Sequence, residues 1–281
     1  MTARYLAGDI RALGAAARKE WRTLRRYPTS FLGTIWGLML PAVWVLMGRA
    51  YSGGDDPAAL GAFSERAGTT GVTVFIFVGY AMYMWLSSLL WGPGTALRRE
   101  QLQGSLEAMF VTPVSRIVPL FGPPLTNVFW IFLNMVVMGI GAWLLFGVVL
   151  SVQGALLALA ITLVGVPAMY ALAALFGAGV LRFGEINPAV QFTRGTLSLL
   201  CGITFPLVML PAWAQATATL MPPTHIVDAI RSALLKGAGP TDLAPTAGVL
   251  LLLAVGFGVL AVFVFRWMER SARRTGMLGR Y

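Results

Sequence analysis

Glu100-Gln-Leu-Gln-Gly104-Ser105-Leu106-Glu107-Ala108-Met109-Phe110-Val-Thr112-Pro113 is a short polar stretch caught between two long apolar ones. Gly104 interrupts what precedes it, and Ser105 is a good N-cap for a helix opening at Leu106. Glu107 falls in the first turn, where a carboxylate suits the positive end of the helix dipole. Pro113 disfavours helix at Thr112, so only about two turns are available. The spacing predicts a rigid two-turn helix at a membrane surface, shaped to be gripped by a soluble partner.

The composition on either side supports that placement. The chain of 281 residues is 57% hydrophobic and 11% charged, with a mean hydropathy of +0.75. Soluble domains carry about 25% charged residues. The apolar matter comes in blocks long enough to cross a bilayer, which takes roughly 20 residues. Six blocks qualify: 30–48, 72–92, 119–149, 154–181, 187–210 and 246–268. The third and fourth are long, which implies tilt or interfacial ends. The expected fold is an all-α polytopic membrane protein with six transmembrane helices, a single domain over residues 1–281.

Charge predicts the orientation. Six spans put both termini on one side with the second and fourth loops, and that side holds 17 of the 21 Arg and Lys. The opposite side holds Arg49, Arg66, Arg231 and Lys236. The positive-inside rule therefore places both termini, including the basic tail 269–281, in the cytoplasm. The formal charge of +10 reads as topology and lipid-headgroup attraction, which makes nucleic acid a poor partner.

Residues 1–29 are too charged for a cleavable signal peptide. Leu6, Ile10, Leu13, Ala17, Trp21 and Leu24 recur at spacings of three and four, and Arg11, Arg18, Arg22 and Arg25 run along another stripe. This pattern predicts an amphipathic helix lying in the cytoplasmic interface. Gly33 and Gly37 give the first span a small face for close helix approach, and Pro41 is expected to bend it. The second span is rich in aromatic residues, and Gly92-Pro93-Gly94 is expected to close it before Arg98 and Arg99.

The last outer connection is the other unusual stretch. Pro206 and Pro211 punctuate the end of the fifth span, and Trp213 opens a moderately apolar segment that runs to Leu235. Thr224 is placed to cap a short helix carrying Asp228 and Arg231, three residues apart and able to pair. Residues 205–235 read as two half-depth pieces, a re-entrant hairpin on the outer side. Such backbone is tolerated where protein or water shields it.

Reaction chemistry is nearly absent. His225 is the single histidine and Cys201 the single cysteine, so neither a metal cluster nor an intrachain disulfide is expected. No Gly-x-Ser-x-Gly, His-Glu-x-x-His or Walker A pattern occurs, so the chain is not expected to be an enzyme or to hydrolyse nucleotide. No acidic residue lies in mid-span, where a proton- or sodium-coupled carrier would need one. Arg182 and Glu185 lie at a cytoplasmic span end and read as a structural ion pair. These absences disfavour an intramembrane enzyme and a secondary transporter. A structural subunit of a membrane complex, without transport, shares the composition and remains an alternative.

Two fragments resemble a family. Arg99-Glu100 followed by Gly104-Ser105-Leu106-Glu107, Thr112-Pro113 and Ser115-Arg116 is one. Phe205-Pro206, Leu210-Pro211 and Trp213, continuing to Pro222-Pro223-Thr224 and Asp228 to Arg231, is the other. In this order and topology the chain resembles the permease subunit of type-2 ABC exporters. The resemblance implies a translocation path for an amphiphile (drug-like, lipid or lipid-linked glycan). It further implies a second permease chain, identical or different, and two separate ATPase subunits that bind ATP and Mg, with no cofactor in this chain. Membrane lipid would surround the assembly, in the bacterial inner membrane.

Gly104, Ser105, Leu106, Glu107, Ala108, Met109 and Phe110 would form the coupling helix seated on the ATPase, within a cytoplasmic loop spanning 98–116. Arg99 and Glu100 would lead into that helix, and Pro113 and Arg116 out of it. The path would be lined from the first span by Gly33, Trp36, Gly37, Leu40 and Trp44. From the fifth it would take Thr196, Leu200, Thr204 and Phe205.

Overall fold

The computed structural model describes residues 39–51, 57–102, 118–183 and 186–275, together with Arg18, Arg22, Arg26 and Gly37. The described residues are mostly helical, with no strand among them. In chain order the helices are α1 (Met39–Tyr51), α2 (Pro57–Ala67), α3 (Val72–Leu102), α4 (Val118–Phe146) and α5 (Val152–Phe183). They continue as α6 (Ile186–Leu200), α7 (Ala212–Ala218), α8 (Pro222–Leu235) and α9 (Pro240–Thr275), with a 3-10 turn at Leu207–Met209.

Four of these are long and apolar enough to cross a membrane, in the windows Val72–Gly92, Val128–Phe146, Val152–Gly177 and Pro240–Val264. They fall within or across four of the six expected blocks. The first block is described only from Met39, apart from Gly37, and the fifth corresponds to α6, which has 15 residues.

The core runs between α3, α5, α6 and α8. On α3, Met82, Leu86, Leu89 and Leu90 recur at helical spacing and are almost fully buried. Met169 and Ala168 on α5, Val190 and Leu197 on α6, and Ile226, Val227 and Ile230 on α8 complete the packing, with Leu250 reaching in from α9. Within α5 the buried Thr162 hydroxyl donates to the Ala158 carbonyl at 2.7 Å, which satisfies it inside an apolar helix. By contrast α9 turns Leu251, Leu252, Val255, Val259 and Phe263 outward. Only 11% of its spanning window is buried inside the protein, so its apolar character suits lipid rather than a protein core.

Two helix ends differ from expectation. Helix α3 does not close at Gly92-Pro93-Gly94 but continues to Leu102. Proline removes one backbone donor and weakens the helix, yet flanking turns can carry it through, as they commonly do in membrane helices. Helix α6 ends at Leu200, ahead of the expected prolines. Gly202, at φ +66, turns the chain there, and only glycine enters that left-handed region without strain.

The N-terminal prediction is described only in part. Arg18 and Arg22 are helical and exposed, while Arg11, Trp21, Arg25, Gly33 and Trp36 lie outside the described residues. Arg99 and Glu100 belong to the end of α3. Gly104 to Phe110, Pro113, Arg116 and Glu185 also lie outside the described residues.

Candidate functional site

The site is built where α6 breaks. Beyond Leu200 the backbone of Cys201 to Thr204 folds against α3 at Gly79, and the absence of a side chain there makes the approach possible. A Cβ on Gly79 would stand 2.1 Å from the Ile203 carbonyl oxygen and 3.0 Å from Arg231 Nη2. Arg231, buried at 6% exposure, reaches this junction from α8. Its Nη1 donates to the Gly202 carbonyl at 2.6 Å, and its Nη2 donates to the carbonyls of Ile203 at 3.0 Å and Phe75 at 3.1 Å. The guanidinium carbon also lies 3.3 Å from the centroid of the Phe75 ring, a cation–π arrangement.

A buried cation is costly unless it is hydrogen-bonded, and carbonyls just past a helix C-terminus supply free acceptors and negative potential. The hydrogen bonds of Arg231 go to these carbonyls, while Asp228, on the exposed side of α8, interacts with it electrostatically. The expected Thr224 cap is absent as well. Helix α8 follows Met221 and opens with Pro222 and Pro223 in its first turn, where proline suits the helix. Thr224 is buried, with its hydroxyl unpartnered.

Helix α8 also changes depth. A Cβ on Gly165 of α5 would meet Ile226 Cδ1 at 2.5 Å, whereas one on Gly154 would meet the Ala233 carbonyl oxygen at 2.7 Å. Gly165 lies thirteen residues along α5 from Val152, roughly 20 Å at helical rise. Thus the Pro222 end of α8 sits alongside the middle of α5, and the Ala233 end beside its start. Nine of its residues are buried, including Ile226, Val227 and Ile230.

Between α1, α3 and the end of α6 lies a cleft of about 200 Å³, lined by Leu40, Trp44, Ile76, Gly79, Tyr80, Tyr83, Ser198, Ile203 and Thr204. Trp44 meets Tyr80 edge-on with ring centroids 6.1 Å apart, and Tyr80 lies 6.0 Å from Tyr83. The polar groups are few. Ser198 Oγ and Thr204 Oγ1 share a hydrogen bond at 3.0 Å. The Tyr80 hydroxyl is buried without a partner.

Beside the cleft, the Arg194 guanidinium lies 5.0 Å from the Tyr83 ring centroid and donates to Ser87 Oγ at 3.0 Å and to Gln191 Oε1. No group of three or more His, Cys, Asp or Glu among the described residues could hold a metal ion.

Of the residues expected to line a path, Leu40, Trp44 and Thr204 meet in this cleft. Gly37 is buried in a turn, and Thr196, Leu200 and Phe205 are half-buried outside the lining. Pro206 is buried, whereas Pro211 and Trp213 are exposed. Sequence reasoning missed Tyr80, Tyr83, Ser198 and Arg194. Arg194 carried a signal, being a charge inside the apolar block 187–210, where ionisable residues are costly. Counting it with the inner loop hid it.

No curated protein matches the chain. Residues 59–263 match the family described as ABC-2 family transporter protein, a stretch that holds most of α2, all of α3 to α8, much of α9, the arginine junction and all of the cleft except its α1 wall. The chain therefore belongs to the ABC-2 family of transporter proteins, as a transport permease.

Proposed function

We propose that this chain is the membrane subunit of an ATP-driven exporter, pairing with a second permease chain to form the path for an amphiphilic cargo. Two separate ATPase subunits supply the energy through the segment 104–112. The observation that carries the reading is the aromatic cleft between α1, α3 and α6, which sits against the arginine-held junction of the outer segment. In a chain of this family, such a cleft gives an amphiphile an apolar berth within membrane-crossing helices.

The proposed topology has six spans with both termini in the cytoplasm of the bacterial inner membrane. Residues 205–235 re-enter from the outer side, a placement supported by the depth change of α8 against α5. ATP binding would close the partner subunits and push the coupling and N-terminal helices, shifting the two permease halves as near-rigid bodies. Such a shift requires a difference in binding energy between the two states, which ATP supplies in the partner. This chain makes and breaks no bonds in the cycle.

The test is whether a neighbouring reading frame encodes an ATPase with Walker motifs, and co-purification with that ATPase, comparing wild type with Leu106→Asp and Glu107→Arg. Each variant is expected to abolish assembly or cargo-stimulated ATP turnover while membrane insertion is retained. Wild-type turnover in both variants would refute the coupling role.

A further inference from the structure

Arg194 is a cation whose neutral partners include two residues of a helix long and apolar enough to cross a membrane. Its two anchors on α3 are Tyr83 and Ser87, within the membrane-crossing window Val72–Gly92. Tyr83 is near the middle of that window, and Ser87 lies five residues short of Gly92, about 8 Å at helical rise. Among the described residues, the guanidinium meets a serine hydroxyl, a glutamine carbonyl and a tyrosine face. A guanidinium is a permanent cation, and in such a place it is expensive unless it serves a function.

The contrast with Arg231 is instructive. Arg231 is 6% exposed, and its two terminal nitrogens are committed to three backbone carbonyls. Arg194 is half-buried, and its partners are side chains that can rotate away, with Gln191 itself exposed. Arg194 is also part of the cleft's surroundings. It stacks on Tyr83, a lining residue, and stands one helical turn from Ser198, another.

We infer that Arg194 is the recognition group for an anionic head, and that the cargo is an amphiphile carrying a phosphate or carboxylate. The inference rests on the proposed permease role and names its cargo class. The apolar body would occupy the cleft against Trp44, Tyr80 and Tyr83, while the head would displace Gln191 from the guanidinium. Arg presents a planar fork of donors that matches both anions, so carboxylate and phosphate share one chemistry here.

The test is equilibrium binding of labelled decyl phosphate, decanoate and decyltrimethylammonium to the purified chain in phosphatidylcholine nanodiscs, without nucleotide. Wild type is expected to bind the two anions at least tenfold more tightly than the cation. Arg194→Gln is expected to weaken both anions by roughly tenfold or more and leave the cation unchanged, whereas Arg194→Lys retains part of the preference.

Equal binding of anion and cation by wild type would overturn the inference without recourse to any variant. So would undiminished anion binding by Arg194→Gln. Inorganic phosphate that competes as well as decyl phosphate would also overturn it, by showing a free-anion site without amphiphile selection. Binding needs no ATPase, so failure of the permease reading is scored separately, in the co-purification test.

Discussion

Gly79→Ala adds a single methyl group at the junction where Arg231 holds the chain beyond α6. The new Cβ would stand 2.1 Å from the Ile203 carbonyl oxygen, so that oxygen must retreat by about 1.3 Å to reach ordinary contact. The same oxygen accepts from Arg231 Nη2 at 3.0 Å, and a retreat of that size strains or breaks the bond. Overpacking costs about 1–3 kcal/mol. Losing one charge-assisted hydrogen bond costs about 1.5–3 kcal/mol. Alanine returns about 1 kcal/mol through helix propensity, which leaves a net destabilisation of about 1.5–5 kcal/mol.

Cys201 is a built-in reporter of this effect, being the single cysteine of the chain and fully buried beside the junction. Its labelling rate by a membrane-permeant maleimide follows the local opening equilibrium. Gly79→Ala should raise that rate about 13-fold at the lower bound of the estimate. Gly248→Ala on α9 is the control, since a Cβ there meets nothing within 4 Å, and its rate should equal that of wild type. Wild-type labelling in Gly79→Ala, with an unchanged unfolding midpoint, would refute the account of the junction.

Arg231→Met keeps the side-chain length but leaves the Gly202 and Ile203 carbonyls without their buried donor. It should cost about 3–5 kcal/mol, read as a lower unfolding midpoint and faster Cys201 labelling. The double variant with Gly79→Ala should cost less than the sum, because the two perturb one contact. Tyr80→Phe removes a buried hydroxyl that has no partner, so its unfolding midpoint should match or exceed that of wild type. Pro93→Ala restores a backbone donor inside α3 and should raise the midpoint, by up to about 3 kcal/mol in an uncompensated helix interior. Reconstituted transport is expected to fall in the same variant.

The helical membrane character is legible in block lengths alone, because spanning takes an uninterrupted apolar run that few soluble helices need. The helix ends are less legible. Pro206 and Pro211 suggest where the fifth block stops, yet Gly202 stops it first, through a backbone angle that side-chain patterns do not reveal. Pro93 suggests a stop where the helix in fact continues, since proline weakens a ladder without forbidding the next turn.

Arg231 has an acidic neighbour at pairing distance in sequence, but its hydrogen-bond partners come from Phe75 and Gly202, far along the chain. Contacts of that range follow from the fold and have no local signature. Part of the cleft was readable, because Leu40, Trp44 and Thr204 sit on segments expected to face a path. Tyr80 and Tyr83 were obscured by the many other aromatics of the second span.

The continuity of α3 has one more consequence. This helix of 31 residues is roughly 46 Å long, running from the arginine junction to Glu100, and its one proline lies nearer the Leu102 end. Above Pro93 the rod is wedged into the packed interior; below it some nine residues, about 14 Å, form a short crank. A 10° bend at that joint would swing Leu102 by about 2 Å while leaving the wedged part in place. Any torque applied at the Leu102 end would pass through this single weak link, so the stiffness of one peptide step would set how much of it reached the packed part.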